Sequence, residues 1–380
     1  MKRKASVVVV GAGVVGLATA HNLAKAGLRD VVVLERGYVL AGASGRNGGG
    51  VRAQWTTEEN LRLARDSIAM FRTLPEELGI NIWFRQGGYL FLAFDDGHVH
   101  ELTKAVAFQN AHGIASRIVG PEEAIEMAPG LNARGVLAAS YCPTDGVLFP
   151  WPVVLGYLEQ CKRRGVEVHT GTTVTGFESS GDRIRRVVTD KGTIEADWVV
   201  NCAGAHSRDV AALAGASLPN VPVRHEILST EPLKPFLEPM LVDMRNGLYA
   251  SQVMRGEVVT GIGMPNEPPG HNERSSLDFL QSIGAALVDL LPDLRRVKVV
   301  RQWAGMYDIT PDRVPILGPA RFHNFVQANG FSGHGFMISP MVARIVADMI
   351  LGKPPIVPLS PFSPDRFASG KAREEAFVIG

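Results

Sequence analysis

The feature that most narrows the folds open to this chain is Gly11-Ala-Gly13-Val-Val-Gly16, because of what flanks it. Before it, Ser6 to Val10 ends in an unbroken valine run, the pattern of a parallel strand buried on both faces. After it, Val14 to Ala26 carries apolar residues at helical spacing and stops at Gly27, a residue suited to the position just past a helix. Val31 to Leu34 predicts a second buried strand, closed by Glu35. Alone, G-x-G-x-x-G is a weak signal; between a strand and a helix, with an acid ending the next strand, it predicts a dinucleotide site. Gly11 allows the tight turn, Gly13 admits a pyrophosphate close to the backbone, and Gly16 lets the helix sit on the sheet. Val14 and Val15 open the helix whose positive end faces the phosphates. Glu35, followed by Arg36, is placed to accept hydrogen bonds from ribose hydroxyls, which disfavours a 2′-phosphate.

The rest of the chain alternates between two kinds of material. Helices are predicted from Glu58 to about Leu78, Val99 to His112, Pro121 to Met127 and Pro152 to Arg164, with a strand at Tyr89–Phe94. Val166–His169, Val174–Glu178, Ile184–Thr189 and Trp198–Cys202 read as strands, their short turns suggesting a meander inserted between parallel strands. From Val221 to Asp308 strand-like runs surround one helix, Ser276–Leu291. The chain then returns to an apolar strand, Phe325–Ala328, a glycine loop, and a helix from about Phe336 to Leu351. No internal repeat and no long linker separates these blocks, so two interwoven domains explain them better than two in series.

Composition removes whole classes of function. Thirty-nine basic residues against 38 acidic ones leave a net charge of +1, which argues against a nucleic-acid binder. Cys142, Cys161 and Cys202 are odd in number and lack C-x-x-C spacing, so neither a disulfide framework nor a metal site is expected. Such cysteine usage suits a reducing compartment, here the cytoplasm. Met1-Lys-Arg-Lys before an apolar run looks like a secretory leader, but Gly11, Gly13 and Gly16 interrupt the run and no small-residue cleavage site follows. No stretch reaches the roughly 20 apolar residues of a membrane span.

The glycine motif does not choose among dinucleotides. A nicotinamide dehydrogenase usually continues with further β-α units. This chain departs instead into Ala41-Gly-Ala43-Ser44-Gly-Arg46-Asn47-Gly48-Gly49-Gly50-Val51-Arg52. So many small residues beside a pyrophosphate site suit backbone wrapped closely around a large flat cofactor, and FAD fits that better than NAD.

These segments, with Val200-Asn-Cys202-Ala203-Gly204, Arg301-Gln-Trp-Ala-Gly305, Thr310-Pro-Asp312, Pro315-Ile-Leu-Gly318 and Gly330-Phe-Ser-Gly333-His334-Gly335-Phe336, resemble the D-amino-acid-oxidase-type FAD oxidoreductases. Within them the chain is most similar to the sarcosine oxidase β-subunit and dye-linked proline dehydrogenase β-subunit branch, along essentially its whole length. The resemblance implies an α/β chain, α+β overall. Its Rossmann-like FAD-binding domain would be drawn from residues 1–85, 146–220 and 309–380. An interwoven substrate domain on a mainly antiparallel sheet would come from 86–145 and 221–308. It also implies oxidation of the C–N bond of a small amino acid or secondary amine such as sarcosine, proline or hydroxyproline, by hydride transfer to flavin N5. Arg52 matches the family position that grips the substrate carboxylate, where a planar fork suits bidentate binding. His225, Tyr249 and His334 are the other polar candidates beside the flavin. Val174, Gly305, Asp312, Gly330, Gly333, Gly335, Phe336 and Met337 join the cofactor set, with the helix from Gly335 aimed at the flavin's pyrimidine edge. Met254, Met264 and Met337 are candidates for an apolar pocket wall, core packing being the commoner role of any single Met.

Departures from the family pattern carry expectations of their own. Gly305 stands where monomeric sarcosine oxidases tether the flavin through Cys, so FAD is expected to be noncovalent. Met337 replaces a carboxylate-binding Lys, and no counterpart of their oxygen-activating Lys aligns in Val258–Gly263, which leans toward a dehydrogenase. Phe149-Pro150-Trp151 lacks the His through which heterotetrameric relatives tether FMN. The resemblance leaves open the electron acceptor (oxygen, a quinone, a dye-like carrier or a partner flavoprotein) and whether the chain is a subunit of a hetero-oligomer or acts only within one.

Overall fold

A computed structural model describes residues 2–368 and Glu375. The valine run forms Lys4–Val10, an inner strand of an eight-stranded sheet, buried along most of its length as its composition requires. Val31–Leu34 and then Glu167–His169 lie parallel on one side of it; Gly192–Asn201 and then Phe322–Asn329 lie parallel on the other, and Ile316–Ala320 closes that edge antiparallel. Val174–Ser180 and Arg183–Thr189 form the expected meander. It pairs with the first half of Gly192–Asn201, while the second half pairs with Phe322–Asn329. Trp198–Cys202 was too short an expectation for that strand. Its first half alternates exposed and buried residues, as a half-buried strand does, and lacks a continuous apolar run.

Three helices cover one face of this sheet. Val14–Lys25 packs against both Pro150–Arg163 and Gly335–Ile350, and Glu58–Leu78 packs on the outer side of the last. Local chemistry moves two predicted boundaries. The helix expected from Val99 is Asp96–Ala111, because the Asp95 carboxylate accepts from His98 N and caps it. The helix expected from Pro152 starts at Pro150, since a proline fits the first turn, where no helical N–H partner is needed.

The second eight-stranded sheet runs in the order Val299–Ile309, Val221–Thr230, Val258–Gly261, Leu248–Gln252, Met240–Asp243, Tyr89–Ala93, Ala138–Cys142, Arg117–Val119. Every pairing in it is antiparallel except Met240–Asp243 with Tyr89–Ala93. That parallel seam joins two distant lengths of chain into one sheet. Helix Leu277–Leu290, capped by the Ser276 hydroxyl, covers its outer face through Phe279, Ile283, Leu287 and Leu290. No described helix is long and apolar enough to cross a membrane. Residues 1, 369–374 and 376–380, included in the ranges expected for the cofactor domain, lie outside the described residues.

Asp312 was expected to touch the cofactor, yet it sits among buried side chains with Arg366 as its bidentate partner, at 2.7 Å (Nε to Oδ2) and 3.0 Å (Nη2 to Oδ1). The same guanidinium donates to the carbonyls of Phe362 and Val314, tying the C-terminal turns to the first sheet. Removing one partner of a buried pair strands the other charge, so Arg366→Met should destabilise the chain by about 3–5 kcal/mol. A denaturant midpoint unchanged from that of the parent chain would show the pair to be dispensable.

Candidate active site

Between the two sheets runs a cavity of about 640 Å³, from Glu35, Arg36 and Thr173 at one end to Arg52, His225 and Met337 at the other. Its first stretch is built by close backbone approach. Gly11 has φ +108°, and a Cβ there would collide with the carbonyl of Cys202; one on Gly16 would strike the carbonyl of Gly11. Gly13 precedes helix Val14–Lys25 with no side chain to cap it, and the Ser44 hydroxyl accepts from Val14 N at 2.9 Å in its place. Glu35 accepts from Ala12 N at 3.0 Å and Gly37 N at 2.8 Å, so its carboxylate is fixed by backbone at the end of its strand.

The glycine-rich segment is held by its few side chains. Asn47 donates to Ser44 O at 2.9 Å and accepts from Gly49 N at 3.0 Å. Arg46 donates to Ala41 O and, across the molecule, to Ala304 O at 2.8 Å, and pairs with Glu273 at 2.9 Å. Gly49 has φ +76° and lies where any Cβ would strike Leu148 O. Arg46 therefore staples this segment to the second sheet from one side while Leu148 presses on it from the other.

At the far end Arg52 is 1% exposed, with its guanidinium 4.0 Å above the Trp55 ring and 5.5 Å from that of Phe91. It donates to Gln54 O, and its Nη2 lies 3.3 Å from His334 Nε2. Burial pulls its pKa down, and Tyr89, Glu375, Asp145 and Tyr307 offset part of that shift. Asp145 takes the N–H of Ala53 at 2.7 Å and the amide of Gln54 at 3.1 Å; burial pushes its pKa up to about 6. Glu375 takes the N–H groups of Thr56 and Thr57 and both their hydroxyls. Two buried carboxylates thus grip residues 53 to 57, directly after the arginine.

His334 accepts from Arg52 through Nε2 and donates to Ser332 O at 2.9 Å through Nδ1, a pattern that needs the neutral ring. Burial first, then Arg52, hold its pKa well below the ordinary histidine value. His225 stacks on Tyr307 at 4.6 Å and hydrogen-bonds the Tyr249 hydroxyl at 3.1 Å, and burial lowers its pKa to about 4. Helix Gly335–Ile350 begins beside these groups with no side-chain cap, leaving first-turn amides directed at the cavity.

The structure brings together at the cavity wall Gly11, Gly13, Val14, Val15, Glu35, Arg36, Ala43, Ser44, Arg46, Asn47, Gly48, Gly49, Arg52, Val174, Cys202, Ala203, Gly204, His225, Tyr249, Gly305, Gly333, His334, Gly335, Phe336 and Met337. Three expected cofactor residues are not on it. Gly16 lies beneath the turn, against Gly11; Asp312 faces Arg366; and Gly330 is packed against Thr310 and Ile316. Met254 is 61% exposed and Met264 sits on the core of the second sheet, so of the three methionines only Met337 reaches the cavity. Sequence reasoning put the pocket on side chains from Tyr89 to Leu92 and Val221 to Met264 without choosing among them, and of these Tyr89, Met240 and Val242 also line the cavity; it missed Tyr307 as a lining group and Glu375 as the clamp on the arginine segment.

A cradle with this length, glycine backbone and open helix N-terminus fits FAD. A family model described as FAD dependent oxidoreductase matches residues 6–349. The chain belongs to that family. It is 31% identical to the sarcosine oxidase subunit beta of Arthrobacter sp, with 98% of this chain and 94% of that protein covered. It is also 31% identical to the glycine oxidase of Pseudomonas aeruginosa, covering 94% of this chain and 98% of the other. The crystal structure of L-proline dehydrogenase from P.horikoshii superposes with a TM-score of 0.93 at 34% identity, over 98% of this chain and all of that one.

In this FAD-dependent oxidoreductase one described group has donors for a metal ion, His206, Asp209 and His271. The two rings stack at 3.9 Å and 16°, so their in-plane lone pairs run side by side, and Arg36 lies 2.6 Å from His206 Nε2.

Unfolded histidine titrates near 6.5, so as pH falls from about 6.5 toward 4 the unfolded chain takes up the proton that buried His225 refuses. Its contribution to stability is present above that range and lost through it, and imidazole NMR should show His225 neutral at pH 5.5. A protonated ring at that pH would overturn this assignment. Glu375→Ala leaves two amides and two hydroxyls without their acceptor, each worth about 1–3 kcal/mol when buried, and should lower the melting temperature by several degrees. Calorimetry showing no change would detach Glu375 from the helix start.

Proposed function

We propose that the chain oxidises the C–N bond of a small amino acid with a secondary amine, of the sarcosine, proline or hydroxyproline kind, leaving an imine that water hydrolyses. The observation that carries this reading is Arg52, a guanidinium buried on the cavity wall just beyond the glycine segment. A buried cation there is a partner for a carboxylate and a poor neighbour for a plain cationic amine. Bound in this cradle without a covalent tether, FAD supplies the two-electron, hydride-accepting chemistry. Arg52 holds the carboxylate, and neutral His225 with Tyr249 faces the amine without adding charge. The open end of helix Gly335–Ile350 stabilises negative charge arriving at the pyrimidine edge. The first sheet with its helices is proposed to form the FAD-binding domain (1–85, 146–220 and 309–380), and the second the substrate domain (86–145 and 221–308).

A dehydrogenase is favoured over an oxidase because, among the described residues, no lysine lines the cavity to assist oxygen reduction. The cytoplasm is the proposed location, in keeping with three free buried thiols. The name of the Arthrobacter relative, subunit beta, favours a second reading, in which this chain works as the flavin-bearing subunit of a hetero-oligomer.

Anaerobic mixing with sarcosine, proline and hydroxyproline should bleach the flavin absorbance, and reoxidation should be faster with a dye than with oxygen. If no member of the panel bleaches it, alone or in a native complex, the reading fails. Arg52→Met removes a buried charged partner worth about 2–5 kcal/mol and should raise KM for the amino acid by about 30-fold or more.

A further inference from the structure

Met337, on the cavity wall, has nothing to donate. Tyr89, which also lines the cavity, carries a donor. Strand Tyr89–Ala93 alternates its side chains between two faces: Leu90 and Leu92 enter the core beneath helix Leu277–Leu290, while Tyr89 and Phe91 turn toward the cavity side. The Arg52 guanidinium leans on Phe91, and the Gln54 side chain, two residues beyond Arg52, donates to the Tyr89 carbonyl at 3.3 Å. Tyr89 and Arg52 are therefore set by the same piece of structure.

Tyr89 is 3% exposed, borders the cavity, and its hydroxyl makes no hydrogen bond with any described residue. A phenol that opens on the cavity and spends no hydrogen bond on the described protein keeps its donor for whatever the cavity holds. Burial drives its pKa far up, so the hydroxyl keeps its proton and acts as a donor. Gly50 explains how the hydroxyl reaches its place: a Cβ on that residue would occupy the same space. The ring is steadied by Phe91, at 6.3 Å and 28°, and by Met240 across the parallel seam.

We propose that the Tyr89 hydroxyl is a specificity-determining contact that donates to the substrate carboxylate beside Arg52. This rests on the carboxylate assignment of Arg52 made above. A phenol and one guanidinium neutralise the carboxylate with a single positive charge, so the grip favours monocarboxylates over dicarboxylates.

The test uses the FAD-loaded full chain and two readouts. The first is KM and kcat for proline and sarcosine beside prolinamide and sarcosinamide, which keep the amine and lose the negative charge. The second is the dissociation constant of acetate, read from the perturbation of the oxidised flavin spectrum without turnover. Tyr89→Phe should raise KM for the amino acids and the acetate dissociation constant by about tenfold or more, leaving both amides within about twofold. Gly50→Ala, which keeps the hydroxyl but displaces it, should shift the same two quantities in the same direction. Equal losses for amino acids and amides, or unchanged acetate binding in both variants, would overturn the role of Tyr89. Arg52→Met separates the two assignments. If it abolishes acetate binding while Tyr89→Phe leaves it intact, only the tyrosine proposal fails; if it leaves acetate binding intact, the carboxylate site itself is elsewhere.

Discussion

A guanidinium taken out of water needs compensation close at hand, and Arg52, buried on the cavity wall, sets that demand. Two buried carboxylates contribute to that compensation, offsetting part of the effect of burial. Asp145 and Glu375 spend their hydrogen bonds on the backbone from Ala53 to Thr57 and act on Arg52 through space. The arrangement fixes the segment that carries the guanidinium. Neutral His334 and the Trp55 ring complete the seat, one by accepting a hydrogen bond and the other through its π face. Removing any of these supports would move the guanidinium or change its charge balance, which ties distant parts of the chain to one spot.

The other constraint is steric. Gly11 and Gly49 both adopt left-handed φ values and sit where any side chain would meet a carbonyl from a different segment. These contacts let backbone amides, instead of side chains, form the wall of a long narrow cavity. Backbone dipoles held this way cannot reorient when a charged ligand enters, and this rigidity is what makes them effective partners for phosphates and a flavin. Arg46 then locks the glycine-rich segment to the second sheet, so the cavity exists only when both sheets are in place.

Much of this was legible in the order of residues. The strand–glycine turn–helix–strand unit at the start is local, and its elements fall where the apolar periodicity puts them, from Val14–Lys25 to Val31–Leu34. The glycine-rich segment and the loop before Gly335 also announced themselves, because positive φ and close approach leave glycine as the residue of choice. The strand Gly192–Asn201 was underestimated because one half of it is solvent-facing and breaks the apolar run. Asp312 was misplaced, since a motif shows where an acid recurs along a chain but not that Arg366 will fold back to meet it. Glu375 carried no sequence signal at all, being more than 300 residues from the threonines it binds.

What the sequence by itself determined was the local geometry: which segments are strands or helices, where backbone must pass close to backbone, and hence that a long dinucleotide can lie there. What only the tertiary structure decided was which side chains line the cavity. Tyr89 and Leu90 are neighbours with similar claims to burial, yet one borders the cavity and the other enters the core. Strand register makes that choice, and register here depends on pairing between Tyr89–Ala93 and Met240–Asp243, segments separated by roughly 150 residues. A contact set by two distant segments cannot be read from either one alone.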